Sequence, residues 1–449
     1  MKRFTIFLLL CVTCIIPAYG HNLEHVIQNQ LKKANHNADI GIKIRNLKTG
    51  KILFEQNPDR YYVFASALKF MTIAVLKEYY GPNKMFLTKI LKKNNDYYLD
   101  INDPDFSTKD LDDLVKAIKE TTGSHITGNF YVIKDNFSLP NISEGKMEED
   151  SNYCYGSPIS KVHINKNCVR FYAQAKGKIG TKIRIEDQEL VPYKVLNIAK
   201  IIPNKDQDRI KSYIQEEKLV IDGTLNKLTG KVTIGTVVHD NFAHVKLMLA
   251  KLLRKNNVTI AGEISYSSMP TDAIEVIQNK KDFYQIACKA LKNSDNYLTD
   301  YLLADFANIY AKENWRQAGS MIKRMLAERF EVNLGDAVIV DGSGISRHNM
   351  LTVNQFDHFL TSVYKSNDWQ QIFPMLAEPG QKGTLEERLQ GLKVYAKTGG
   401  MTGVSSLVGY VLDKNNTPYS FVMVSNNYIG HKKIYTKLED SIVRMISEK

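Results

Sequence analysis

Past residue 20 the chain has no apolar run long enough to cross a bilayer, which excludes a helical membrane protein. Cysteine is scarce there too. Only Cys154, Cys168 and Cys288 remain, enough for one disulfide, and Cys154–Cys168 is the nearer pair; three buried thiols satisfy the same count. The ten histidines show no metal-ligand spacing such as His-Glu-x-x-His. His239 and His244 are five apart and fall on different faces of any helix, so neither a metal nor another cofactor is expected. No internal repeat, low-complexity tract or nucleic-acid-binding motif is evident, and nucleic acid is not an expected partner.

What is present is a chain of 449 residues, 43% hydrophobic and 24% charged, the composition of a soluble globular protein of two or three domains. The first twenty residues differ from the rest. Lys2 and Arg3 precede the apolar run Phe4–Ile16, and Ala18-Tyr19-Gly20 places small residues at both cleavage-site positions. This reads as a secretory signal peptide, and export to the periplasm is expected. The net charge of +12, or +10 without Lys2 and Arg3, gives a basic surface with at most weak attraction for polyanions.

The chain is organised around Ser66. In Val63-Phe-Ala-Ser-Ala-Leu-Lys69 the serine opens a predicted helix, and Lys69 lies three residues on, on the same face. A serine hydroxyl needs a base to become a nucleophile, and a buried lysine kept neutral can be that base. Ser-x-x-Lys alone is weak: it recurs at Ser143/Lys146, Ser320/Lys323 and Ser362/Lys365. Only Ser66/Lys69 is followed in order by Ser294-Asp295-Asn296 and Lys397-Thr398-Gly399, the triplet of penicillin-binding proteins and serine β-lactamases. Lys48-Thr49-Gly50 precedes every candidate serine and reads as a hairpin turn.

Periodicity predicts an amphipathic helix at 22–33, strands at 40–45 and 51–54, and the Ser66 helix closed by Gly81-Pro82. Residues 84–267 carry short strand-like runs and one clear helix at 108–120, too long for a loop, and are read as inserted domains. Helical pattern returns at 282–303, through Ser294, and at 315–330 and 351–366. Three strands at 393–398, 406–412 and 419–425 precede a last helix at 434–447. Strands at both ends imply one sheet built from both termini.

Over most of the mature chain the sequence resembles the D-alanyl-D-alanine carboxypeptidase/endopeptidase family of penicillin-binding-protein-4 type, peptidase family S13. The matching stretches include Ser66-Ala-Leu-Lys69, Asp110-Leu-Asp-Asp-Leu114, Gly156-Ser-Pro-Ile-Ser160, Ser294-Asp-Asn296, Asp341-Gly-Ser-Gly-Ile-Ser-Arg347 and Ala396-Lys-Thr-Gly399. The long gap between the first two motifs separates it from the β-lactamases. The resemblance implies an α/β protein: a penicillin-binding-protein/serine β-lactamase-like transpeptidase domain, an antiparallel sheet flanked by helices, with two small inserted α+β or β domains. The expected parts are residues 21–83 and 268–449 for the first and 84–267 for the insertions, with a third domain nested near 172–237.

It also implies roles. Ser66 would be the nucleophile, Lys69 its base, and Ser294 a proton relay to the leaving amine. Asn296 would bind the substrate's backbone amide, and Lys397 and Thr398 its terminal carboxylate. Gly399 would let substrate approach the strand, and the Ser66 and Gly400 N–H groups would form the oxyanion hole. The implied partners are peptidoglycan stem peptides and cross-links, with β-lactams as covalent inhibitors. A β-lactamase or esterase on the same fold, or a catalytically weak wall-binding protein, are the competing readings. The Asp341-Gly-Ser-Gly344 stretch reads as a structural turn.

Overall fold

The computed structural model describes residues 19–33, 38–134, 137–186, 190–203, 207–308, 314–366 and 369–449. The apolar leader, residues 1–18, lies outside them. Among the described residues no helix is long and apolar enough to cross a membrane.

Both ends of the chain build one five-stranded antiparallel sheet, in the order Val394–Met401, Val404–Leu412, Pro418–Asn426, Asp39–Asn46, Ile52–Gln56. Its middle strands are buried at nearly every position because both faces are covered. Side chains alternate between two cores, as the pleat requires. Val408, Tyr410, Val422 and Val424 enter the larger core with the helices Lys69–Tyr80, Asn296–Ala307, Trp315–Phe330 and Val353–Lys365. Leu407, Val411, Phe421 and Met423 face the other way, onto the C-terminal helix Lys433–Ser447 and Ile27 and Leu31 of the first helix. Leu438, Ile442 and Ile446 form the stripe that the last helix buries there. Each fully buried aliphatic side chain in such a layer contributes about 1.5–3 kcal/mol.

The long middle of the chain makes a second, mixed five-stranded sheet, in the order Ile264–Ser267, Phe130–Ile133, Asp96–Ile101, Met85–Lys93, Ile274–Asp282. Helices Thr108–Thr122 and Asn241–Lys255 close its core. The strand Ile274–Asp282 was not legible as one, and it draws this sheet past residue 267. Among the described residues between Cys168 and Val237, seven short strands form two further small sheets around a separate core.

The Cys154–Cys168 disulfide is formed, with Cα atoms 5.2 Å apart, and Cys288 is a free, half-buried thiol.

Candidate active site

Ser66 does not open an α-helix directly. It sits in a 3₁₀ turn, Ala65–Leu68, which the α-helix Lys69–Tyr80 continues. Ala65 before it is left-handed, at φ +47°, a conformation residues with a Cβ rarely adopt. Neighbours hold the turn there. Asn426 clamps Val63 by accepting from its N–H and donating to its carbonyl, and the Ser406 hydroxyl donates to the Phe64 carbonyl at 2.7 Å. Gly399 and Gly344 complete the cradle. A Cβ at Gly399 would collide with the Phe64 carbonyl and the Ser406 hydroxyl, and one at Gly344 with the Ala65 carbonyl. The resemblance implies that Gly399 lets substrate approach; the contact that requires glycine here is with the turn that carries Ser66. Gly399→Ala should therefore cut acylation of Ser66 by up to about a hundredfold, the cost of misplacing a reacting group by about 1 Å. A variant acylated at the normal rate would show that the turn can give way.

Lys69 is fully buried. Its ammonium donates to Ser66 Oγ at 2.8 Å, Asn296 Oδ1 at 2.5 Å and the Ser343 carbonyl at 2.6 Å. Burial lowers its pKa to about 8, against the pull of Asp300, Asp341 and Asp295. Asp300 moves the opposite way, up to about 7, through burial and the neighbouring Asp341. Burial thus moves the amine down and the carboxylate up, towards each other. Asp300 accepts from the Gly342 and Ser343 N–H groups, and Asp341 from those of Gly344 and Ser346. The stretch read as a structural turn therefore carries a ligand of the candidate base, the Ser343 carbonyl. The sequence offered no sign that Asp300 would be buried beside it.

The helical pattern predicted through 282–303 is interrupted. One helix ends at Lys292 and the next begins at Asn296, with Ser294 left-handed between them at φ +57°. Ser, Asp and Asn bond readily to nearby backbone, and Asp295 does so by capping the second helix through the Leu298 N–H. Ser294 Oγ accepts from Lys397 Nζ at 2.9 Å. Lys397 is wholly buried, and its second bond goes to the Thr398 carbonyl at 2.8 Å. Burial first, then the charges of Lys69 and Lys432, push its pKa well below the usual lysine range. Asn296 turns its Nδ2 away from Lys69, to the Tyr155 carbonyl at 2.9 Å. Tyr155, next to the disulfide, was not foreseen.

These groups meet at a cleft of about 540 Å³ whose lining includes Ser66, Ser294, Asn296, Gly400, Tyr155 and Arg347. Of the four Ser-x-x-Lys pairs, Ser66/Lys69 is the one in contact among the described residues. Lys146 bonds the Gly156 carbonyl instead of Ser143, and the Ser320 and Ser362 hydroxyls donate to the backbone carbonyls of Arg316 and Phe330.

Residues 22–449 match the model of the D-Ala-D-Ala carboxypeptidase 3 (S13) family. The D-alanyl-D-alanine carboxypeptidase DacB of Haemophilus influenzae is 23% identical over 448 residues, covering 94% of this chain and 91% of the relative. The crystal structure of penicillin binding protein 4 from the same organism superimposes with a TM-score of 0.81 at 20% identity, over 94% of this chain and 99% of that one. A penicillin G-acylated predatory endopeptidase of Bdellovibrio bacteriovorus, solved with an immunity protein, gives a TM-score of 0.52 at 13% identity, over 91% and 92%.

Proposed function

The chain belongs to the D-Ala-D-Ala carboxypeptidase 3 (S13) family, and from that membership we propose that it is an exported serine-type D-Ala-D-Ala carboxypeptidase acting on peptidoglycan stem peptides. The observation that carries the reading is the 2.8 Å contact between Ser66 Oγ and the fully buried Lys69 amine, at the edge of an open cleft. Neutral Lys69 takes the Ser66 proton as Oγ attacks the penultimate D-alanine carbonyl. The N–H groups of Ser66 and Gly400 receive the oxyanion. The peptide bond then breaks, the terminal D-alanine leaves with a proton passed through Ser294, and water hydrolyses the ester on Ser66. A D-Ala cross-link presents a similar bond, so endopeptidase activity is expected from the same site. That a structural neighbour is a penicillin-acylated endopeptidase supports both points. The apolar leader and the disulfide fit work in the periplasm.

The test is to treat the protein with penicillin, digest it and map the modified residue by mass, alongside an assay for free D-alanine from a D-Ala-D-Ala-terminated peptide. The expected result is one penicilloyl group, on Ser66, with slow release. An adduct on another serine would overturn the assignment. Rapid turnover of penicillin with no D-alanine release would make the protein a β-lactamase.

A further inference from the structure

Asn165, Lys166 and Asn167 are three consecutive left-handed residues, at φ +53°, +60° and +54°, with no glycine among them. Side chains with a Cβ avoid this region, and a run of three persists only where the surroundings over-determine it. They do here. Asn165 accepts from the Thr108 N–H through Oδ1 at 3.0 Å and donates to the Thr108 hydroxyl at 2.9 Å. Asn167 donates to the Pro158 carbonyl at 3.1 Å. The next residue is Cys168, tied to Cys154. What this turn presents is Lys166, whose ammonium lies 2.5 Å from Asp295 Oδ2 and 3.2 Å from Asp105 Oδ1.

Asp295 is the middle residue of the Ser294-Asp-Asn296 motif. Its other oxygen, Oδ1, caps the helix that begins at Asn296. The same carboxylate is therefore held from two directions. Its chain neighbours are Ser294, which accepts from Lys397, and Asn296, which accepts from Lys69. Asn296 is also held by the carbonyl of Tyr155, the residue after Cys154. Both arms of the disulfide-bridged segment thus reach the motif, one by a charge and one by a carbonyl. Asp105 is shared with Lys289, so the far end of the Lys166 bridge is anchored as well.

We propose that Lys166 is a positioning residue for the reaction at Ser66: by tying Asp295 to Asp105 it fixes the left-handed turn that points Ser294 and Asn296 into the site. The inference rests on the acyl-enzyme reading above. It assigns to the long middle segment a part in the chemistry, since Lys166 and Asp105 both come from it.

The experiment uses the full chain carrying Lys166→Met, which keeps the length and apolar stem but removes the charge. It compares penicillin acylation rate, kcat and KM for a D-Ala-D-Ala peptide, and Tm with wild type. Acylation and kcat should each fall at least tenfold, with KM changed less than threefold. Lys166→Arg should restore the rate to within about threefold, because the ion pair can re-form. Lys166→Met added to Asp295→Asn should cost little more than Asp295→Asn alone, a coupling that general destabilisation would not produce. Lys166→Met acylated within twofold of wild type would overturn the proposal, as would losses that multiply in the double variant. If Lys166→Met does not fold, the Arg variant and Asp105→Asn carry the same comparison. Failure of wild type itself to acylate would instead sink the reading of Ser66.

Discussion

Replacing Lys69 with arginine should slow acylation of Ser66 by about two to four powers of ten, the usual range for losing a positioned general base. Both side chains are cations, so the change leaves the charge and removes the ability to give it up near neutral pH. The site makes that ability matter. Ser66 Oγ, Asn296 Oδ1 and the Ser343 carbonyl together take the three protons of an ammonium, so the resting geometry suits the protonated amine. Burial works against that form and brings the pKa to about 8. The sign follows. At lower pH the amine is protonated and idle, and as pH rises it becomes free to take the Ser66 proton. Acylation should therefore rise with pH through neutrality and level off once Lys69 is neutral, with the neighbouring Asp300 titrating alongside it. A penicillin whose own carboxylate does not titrate in this range is the right probe. A flat profile from pH 6 to 9, or near-normal acylation of Lys69→Arg, would mean that another group takes the proton.

The same residue marks how far the sequence could be read. That Lys69 is buried was legible, because the flanking Leu68 and Phe70 mark a buried helix. The central sheet was legible for a related reason. Val404–Leu412 and Pro418–Asn426 carry apolar runs at Leu407–Leu412 and Phe421–Val424, and the turn at 413–417 separates them without ambiguity. Ile274–Asp282 was lost because it is an edge strand whose second half, Gln-Asn-Lys-Lys-Asp, is polar throughout and carries no apolar alternation. The break at Ser294 was hidden differently. Ala290, Leu291, Leu298 and Leu302 are all buried and keep the appearance of one helix across it. Only the hydrogen bonds of Ser294, Asp295 and Asn296 reveal two. Asp300 and Asp341 are a harder case still. A carboxylate on a helix or turn normally implies solvent, and nothing in the local pattern signals that these two are enclosed with a lysine.

Ser294→Ala and Lys397→Ala should each lower acylation by about two powers of ten, the lower end of what a proton-transfer group contributes, and the double variant should be little worse than either. The reason is donor accounting. A hydroxyl has one proton and two lone pairs, and Ser294 Oγ accepts from Lys397 Nζ at 2.9 Å. With that lone pair occupied, the Ser294 proton is free to point into the cleft, where the leaving nitrogen would need it. Lys397 cannot easily turn elsewhere. It is wholly buried and spends its other bond on the Thr398 carbonyl, next to it on the strand. Burial and the charges of Lys69 and Lys432 hold its pKa well below the usual lysine range. Groups that act as one chain give losses that do not multiply. The measurement is the second-order rate of penicillin acylation for wild type, both single variants and the double variant. Losses that multiply, to about four powers of ten in the double variant, would mean that Lys397 works independently of Ser294, for instance on the substrate's carboxylate. Single losses below threefold would remove this hydrogen bond from the mechanism altogether.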